Sequence, residues 1–509
     1  VTAGHLEVER KFDVDETFAL PGLAGLDGVA TVDAPVVHEL EAVYHDTSDL
    51  RLLRARVTLR RRTGGADAGW HLKLPAGPAR RELHAPLGRA VKNPPKGFLA
   101  PVRGILRGAA TGPVATLRTR RVVTHVRDAD GRTLAELADD TVTATTPAVG
   151  IGEPAEVQVW RELEVELVDG GEELLGTVAE LLTGAGARPS ESASKAGRVL
   201  AARLAAGALP AERGRKDKRP RAGEFVQAAL GEQVAALQQA DLDLRTQQPD
   251  AVHQLRVSAR RLRSTLAAFR AVLDREATAP LREELRWLGG QLSNARDDEV
   301  ALAHLRELVR GQPEELVLGP VAARLQQAQI REARAGLDRA LVTLSEPRYL
   351  QLLDALHALL AEPPFTGKAG SPVRPVLRKA VGSSVQRLRR HLATAEKASE
   401  EQRHEALHAV RKAAKRVRYA AEIGTGELGP AKPLVRAAKR IQADLGELQD
   451  TTVTREHCRR FGVVAFAEGE STFTYGRLHA LEQARAERAE EAFWAEEPKL
   501  RKALDRAAR

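Results

Sequence analysis

Strict alternation of charged and apolar residues recurs through the first two hundred positions. Trp160-Arg161-Glu162-Leu163-Glu164-Val165-Glu166-Leu167 is the clearest case. In an extended strand, alternate side chains share a face and repeat about every 6–7 Å along it. Glu162, Glu164 and Glu166 therefore stand on one face, and Leu163, Val165 and Leu167 on the other. The chain begins the same way, with Glu7, Glu9 and Lys11 set against Leu6, Val8 and Phe12. Thr58, Arg60 and Arg62 oppose Val57 and Leu59; after a Gly64-Gly65 hairpin signal, His71 and Lys73 oppose Trp70, Leu72 and Leu74. Between Leu117 and Val123 the spacing puts Arg118 and Arg120 on one face, while Glu136 falls on a strand and Asp139-Asp140 near a turn. Helices are expected between 97 and 112, over 172–183, and from Ser194-Lys195 onward.

Two folds satisfy this pattern. One is an ordinary sheet whose charges face water. The other is a closed barrel with a charged lumen and an apolar exterior under helices. A lumen holding basic residues against paired carboxylates needs a small polyanion with divalent cations to balance it. Oxygen-rich pairs suit Mg²⁺ or Mn²⁺.

Composition narrows the partners. At 509 residues the chain is too long for one core, so two or three domains are expected. Its apolar stretches stop well short of the ~18 residues that a membrane span needs. No basic start followed by an apolar core precedes the first strand, so no secretory signal is expected. The lone Cys458 excludes an intrachain disulfide and fits a reducing cytoplasm. A net charge of +9 favours polyanions, whereas 4% aromatic content weighs against stacked bases. Phosphates, rather than nucleic-acid bases, are the expected ligand.

The ordered series of motifs resembles the CYTH family, the triphosphate tunnel metalloenzymes. Glu7, Glu9 and Lys11 match its Glu-x-Glu-x-Lys start, and Tyr44, Asp46 and Thr47 its Tyr-x-Asp-Thr segment. Leu59, Arg60 and Arg62 match the Leu-Arg-x-Arg strand; Lys73 comes from Leu-Lys-Leu-Pro, and Arg118 and Arg120 from a later basic strand. Glu162 and Glu164 match the Glu-x-Glu strand and Lys195 the Ser-Lys pair; Arg80, Arg81 and Glu82 each fit one basic position, assigned to Arg81. The resemblance implies an eight-stranded antiparallel tunnel that cleaves a triphosphate with a divalent metal. It implies metal binding by Glu7, Glu9, Glu162, Glu164 and Glu166. It implies triphosphate binding by Lys11, Arg60, Arg62, Lys73, Arg81, Arg118, Arg120 and Lys195. Glu7, Glu9, Lys11, Glu162 and Glu164 form the expected catalytic set.

Residues 207–220 carry two prolines, basic charge and no apolar period, and read as a linker between residues 1–206 and 221–509. Beyond it, strand signals give way to helical periodicity. His253, Arg256, Arg260 and Arg263 fall within an arc of about 80° on a helical wheel. The same spacing returns 155 positions later as His408, Arg411, Lys415 and Arg418. A second segment pair, 288–297 and 441–450, repeats at an offset of 153, so a helical unit is duplicated over about 221–361 and 374–509. The repeated basic helix resembles the CHAD domain, a duplicated all-α bundle found beside CYTH domains. That resemblance implies that those eight basic residues bind inorganic polyphosphate.

The expected fold is therefore α+β and multidomain. The expected activity is metal-dependent hydrolysis of inorganic triphosphate in a cytoplasmic protein, with granules of polyphosphate as one location. Thiamine or nucleoside triphosphate hydrolysis and adenylate cyclisation lie within the same chemistry. A non-enzymatic polyphosphate-targeting protein is the main alternative, and a nucleic-acid binder ranks below it.

Overall fold

A computed structural model of the chain describes residues 5–65, 67–77, 79–88, 93–95, 97–147, 155–192, 194–206, 221–424, 427 and 431–507, with the side chains of 5–7, 293–297, 431 and 506–507 excepted. The residues read as a linker, 207–220, lie outside the described set. The chain divides into two compact units, Val1–Ala208 and Leu209–Arg509.

The first unit is one antiparallel sheet with helices against it. Its strands are β1 (His5–Glu7), β2 (Glu9–Val14), β3 (Thr31–Val32), β4 (Val36–Asp46), β5 (Thr58–Thr63) and β6 (Gly69–Ala76). Then come β7 (Ala79–Pro86), β8 (Gly112–Arg127), β9 (Thr133–Thr146), β10 (Glu156–Leu167) and β11 (Arg188–Pro189). The hydrogen-bonded order is β1-β7-β6-β5-β4-β8-β9-β10-β2-β11, with β3 paired to β8 off this path. Among the described residues the sheet has eleven strands and its ladder is not closed, which corrects the expected closed set of eight. Two physical causes account for the difference. The first strand is split at Val8, so that β1 pairs with β7 and β2 pairs with β10. The two-residue β3 and β11 are marginal additions to the long strands. Because β1 and β2 are consecutive in the chain, one short segment lies on both flanks of the path.

Five short helices accompany the sheet: α1 (Arg51–Arg54), α2 (Arg103–Leu106), α3 (Glu172–Gly184), α4 (Lys195–Val199) and α5 (Ala201–Ala206). The apolar face of α3 buries Leu175, Val178 and Leu182 against Phe12, Val14, Leu137, Leu163 and Val165. Those strand residues are the apolar members of the alternation, so this is the outer face. The opposite face is not uniformly charged. Leu117, Val142, Ala144 and Trp160 pack with Ala196, Val199 and Leu200 of α4 and its C-terminus, which stop one end of the lumen with an apolar plug. Burial of each such large side chain contributes about 1.5–3 kcal/mol. At the β5–β6 hairpin, Gly64 has φ +80°, and a Cβ there would stand 2.1 Å from the Glu39 carbonyl oxygen.

The second unit is helical: α6 (Ala222–Arg245), α7 (Ala251–Ala268), α8 (Arg275–Gln291), α9 (Ser293–Arg310), α10 (Val321–Ser345) and α11 (Pro347–Ala361). After the Pro/Gly-rich break follow α12 (Val373–Glu396), α13 (Glu400–Ile423), α14 (Ala431–Ala467) and α15 (Phe473–Ala507). One core joins α6, α7, α8 and α11 through Leu237, Leu255, Leu288 and Leu356. Another joins α12, α13, α14 and α15 through Leu388, Val417, Ile441 and Phe493. The two repeated basic helices are α7 and α13, and they pack on each other. No described helix is long and apolar enough to cross a membrane.

Candidate functional site

Register places the charges of the first unit in layers. Across β8, β9, β10 and β2, Arg121 lies opposite Asp140, Asp140 opposite Glu162, and Glu162 opposite Asp13. One layer on, Glu164 lies opposite Lys11. In the next, Glu166 has Glu9 on one side and Glu136 on the other. These layers face a cavity of about 280 Å³, whose other wall carries Arg60, Arg62, Lys73, Arg80 and Glu82 from β5, β6 and β7. Tyr44 is the one aromatic ring among the described lining residues.

Lys195 is the hub of the acidic layers. Ser194 caps α4, its Oγ accepting from the Gly197 N–H at 3.0 Å, and so fixes where Lys195 leaves the helix. The Lys195 ammonium lies 2.5 Å from Glu162, 2.7 Å from Glu164 and 3.0 Å from Asp140. Burial works against its charge, but Glu164, Asp140 and Glu162 outweigh that and raise its pKa. Arg121 grips Asp140 through two N–H groups at 2.8 and 2.6 Å and also pairs with Glu164. Glu164 in turn pairs with Lys11. Burial raises the Glu164 pKa, yet Lys11, Lys195 and Arg121 together hold it well below the usual carboxylate range.

The remaining groups are less balanced. Burial pushes the Glu166 carboxyl up; Lys73 opposes this, and Glu9, Glu136 and Glu164 reinforce it. On the basic wall, burial and then Arg60 and Arg121 lower Arg62 to about 9, although Asp67 pairs with it. The basic wall thus has surplus positive charge, and the facing row Glu9–Glu166–Glu136 carries three carboxylates, of which Glu9 lies 3.2 Å from Lys11 and Glu136 3.2 Å from His125.

Among the described residues one carboxylate set already brings its oxygens close enough to share a hard divalent cation, and a second row is a looser candidate. Asp140, Glu162 and Glu164 each offer an oxygen, all within 4.8 Å of one another, but Lys195 sits among them. The Glu9–Glu166–Glu136 row is the set whose mutual repulsion a cation relieves.

Several expected residues take these places: Glu9, Lys11, Arg60, Arg62, Lys73, Glu164, Glu166 and Lys195 line the cavity, and Glu162 lies beneath it. The side chain of Glu7 lies outside the described residues, although its backbone pairs with Arg80. Three expectations are corrected. Arg118 and Arg120 lie on the outer face, where their register partners are Glu41 and Glu39. Arg118 is 78% exposed and donates to Glu41 at 3.0 Å. The inward residue of that strand is Arg121. Likewise Arg80 and Glu82, not Arg81, line the cavity, since alternate residues share the inner face. Asp139 and Asp140 sit in the middle of β9 rather than near a turn. Asp46, matched to the Tyr-x-Asp-Thr segment, binds backbone instead: it accepts from the N–H groups of Thr47, Leu52 and Leu53 and anchors α1.

In the helical unit, α7 and α13 bring Arg256, Arg260, Arg411, Lys415 and Arg418 together. Burial and the neighbouring Arg411, Arg260, Arg418 and Arg256 lower the Lys415 ammonium to about 7. Arg260 donates to the Tyr419 hydroxyl at 2.9 Å, and the Arg418 guanidinium lies 4.7 Å from that ring's centre. Gly446 on α14 leaves room for Arg411; a Cβ there would stand 3.2 Å from its Nη2. His408 adjoins the group, with burial, Lys412 and Arg411 lowering its pKa. His253 starts the same face of α7, while Arg263 turns toward α8. Cys458 is buried and its thiol is pushed up to about 12, which makes it inert at neutral pH.

An ionic cavity in one unit and a duplicated basic helical bundle in the other define a two-domain class of protein. The chain belongs to the CYTH proteins that also carry a CHAD domain: the CYTH domain model matches residues 5–198 and the CHAD domain model residues 228–459. Two proteins of Mycobacterium tuberculosis are similar along their whole length: "Uncharacterized protein MT2285" of strain CDC 1551 / Oshkosh and "Uncharacterized protein Rv2226" of strain ATCC 25618 / H37Rv. Each is 41% identical over 517 residues, covering 99% of this chain and 98% of its own. Among solved structures, PptA from Streptomyces chartreusis is 23% identical with a TM-score of 0.45, covering 54% of this chain and 98% of its own. The CHAD domain from the plant Ricinus communis is 24% identical with a TM-score of 0.45, covering 58% and 95% respectively.

Proposed function

We propose that the first unit hydrolyses inorganic triphosphate with Mg²⁺ or Mn²⁺, and that the helical unit binds inorganic polyphosphate. The observation that carries the first part is the pairing of two oppositely unbalanced walls across one small cavity. Arg60, Arg62, Lys73, Arg80 and Arg121 would hold the non-bridging phosphate oxygens, the arginines through rigid two-pronged contacts. Glu9, Glu136 and Glu166 would hold the metal, with Glu164 beside them. When bound, the metal neutralises phosphate charge and lowers the pKa of a coordinated water. Lys11 and Lys195 keep Glu164 ionised, and Lys195 holds Glu162 and Asp140 in place, so the acidic floor does not rearrange during turnover. Water attacks the terminal phosphorus, the P–O anhydride bond breaks, and orthophosphate and pyrophosphate leave.

The lining favours a ligand made of phosphates alone, since Tyr44 is its one described aromatic ring and charged groups dominate it. The test is a product assay on the full chain with inorganic, thiamine and adenosine triphosphates, with and without each metal. Orthophosphate release fastest from inorganic triphosphate supports the reading; cyclic nucleotide, or no release from any of them, refutes it.

A further inference from the structure

The basic wall of the first unit holds a histidine that the mechanism above does not use. Period two on β6 puts His71 on the same face as Lys73, and register sets it opposite Arg60 of β5 and His84 of β7. It is 2% exposed. Both ring nitrogens are engaged: Nε2 lies 2.9 Å from the Asp67 carbonyl oxygen, and Nδ1 lies 2.7 Å from Oε1 of Glu82. A carbonyl oxygen only accepts, so Nε2 carries a hydrogen and donates it. Nδ1 and Oε1 then need one further proton between them. Either an imidazolium donates to a carboxylate, or a carboxylic acid donates to a neutral imidazole. Without that proton, two lone pairs face each other at hydrogen-bond distance. In both arrangements that the geometry accommodates, the pair is neutral overall.

Glu82 is the member that faces the cavity, among Arg60, Lys73 and Arg80. An ionised carboxyl there would repel a phosphate held by the same wall. Its oxygens lie 3.8 Å from Arg60 and 3.9 Å from Lys73, too long for direct hydrogen bonds, so those cations stay available to a ligand. The other charged or titratable groups around the pair come from each neighbouring element. Arg62 of β5 pairs with the Asp67 carboxylate, Tyr44 of β4 bonds to Arg60, and the His84 ring centre lies 4.9 Å from that of His71. Arg121 of β8 lines the same cavity, and β1 pairs with β7 through its backbone at Glu82. Burial, and then Arg60 and Arg62, lower the imidazole to about 4 against the pull of Glu82, so the shared proton lies toward the carboxyl.

We infer that His71 is a positioning residue for triphosphate binding: it shares one proton with Glu82 and so keeps the phosphate-facing carboxyl from opposing the bound anion. The inference rests on the triphosphate reading above. A buried histidine with two hydrogen bonds is often a strut and nothing more. What sets this one apart is that the carboxyl it holds points into the cavity rather than into the core. A bound phosphate raises the proton affinity of both seats, so anion and shared proton stabilise each other. As pH rises, the proton leaves to solvent, Glu82 is left ionised on the phosphate-binding wall, and binding weakens. The carboxylates on the opposite wall are untouched by this, so the change falls on KM rather than on kcat.

The test measures kcat and KM for inorganic triphosphate from about pH 6 to 9, on the full chain and on His71→Asn, Glu82→Gln and the double variant. Asn fits the pocket but has no proton to share, so Glu82 stays ionised throughout. His71→Asn is expected to raise KM about tenfold at the acid end, with kcat changed less than about threefold. Glu82→Gln, neutral at every pH, is expected to lose the alkaline rise in KM. Added to His71→Asn, it is expected to bring KM back to within about threefold of Glu82→Gln alone. A double variant as weak as His71→Asn makes the histidine a strut and overturns the inference. Arg62, lowered to about 9, titrates in the same range. An alkaline rise that persists in Glu82→Gln belongs to Arg62 and also overturns it. Should His71→Asn not fold, the Glu82→Gln profile decides alone. If the unaltered chain hydrolyses no inorganic triphosphate, the parent reading has failed and this one falls with it; if it does and His71→Asn keeps the unaltered profile, only this one fails.

Discussion

Arg121 and its neighbours Arg118 and Arg120 differ by one residue of phase, and the whole difference between lumen and solvent follows. Replacing Arg121 by Ala removes a charge-assisted contact to the bound anion and leaves Asp140 with fewer partners. Turnover is expected to fall by about 10²–10³-fold. The Arg118→Ala, Arg120→Ala double variant is expected to stay within about twofold, since exposed pairs contribute little. Steady-state phosphate release compares the two directly; the reverse ranking would put the phase wrong. The misplacement has a physical origin. Which residues share a face was legible from spacing; which face points inward was not. Reading apolar residues as outer fails at Leu117, which is buried on the inner face against the α4 plug. Asp140 and Glu136 were also legible as acidic residues, but nothing local shows that β10 will set them opposite Glu162 and Glu166. Lys415 makes a second residue-scale prediction. Its pKa of about 7 in the free protein rises when a polyanion binds. Binding therefore takes up a proton above that pH, and polyphosphate affinity falls as pH rises from 7 to 9. A Lys415→Arg variant, always charged, is expected to lose that fall in a titration series.

At the scale of elements, the ionic cavity depends on a short helix being held at its first turn. Ser194→Ala removes the α4 cap and costs about 1 kcal/mol. It also frees Lys195 to shift among its three carboxylates, so activity should drop more than the stability loss alone explains. Glu164 gives β10 an acid-sensitive lock. Its folded pKa is depressed below that of the unfolded chain, because Lys11, Lys195 and Arg121 together outweigh burial. Its contribution is present above the unfolded value of about 4.3 and is lost as pH falls through the folded one. Glu164→Gln is thus expected to lower the melting temperature at pH 7, with a difference that shrinks progressively as pH falls below about 4.3. A constant difference across that range would contradict the lock. The strands themselves, the β5–β6 hairpin and α3 were legible from alternation and turn chemistry. The split of the first strand at Val8 was not, since a change of partner leaves no mark on the sequence.

For the molecule as a whole, duplication was the most readable feature. The repeated His-x-x-Arg-x-x-x-basic-x-x-Arg spacing identified α7 and α13 before any coordinates, because a basic arc repeated at a fixed offset rarely arises from solvation alone. On the proposed function, the two units would bind the same chemistry in opposite ways: one enclosing a short anion between unlike walls, the other laying a long one along like charges. Among the described residues, only the first unit brings three carboxylates together as a metal would need. The most direct test is orthophosphate release from inorganic triphosphate by the full chain and by its Glu9→Ala variant, with metal and with chelator. Release that requires Mg²⁺ or Mn²⁺ and is abolished in a variant that still folds is the predicted result. Release that survives the chelator, or a variant that turns over at the unaltered rate, would contradict the account.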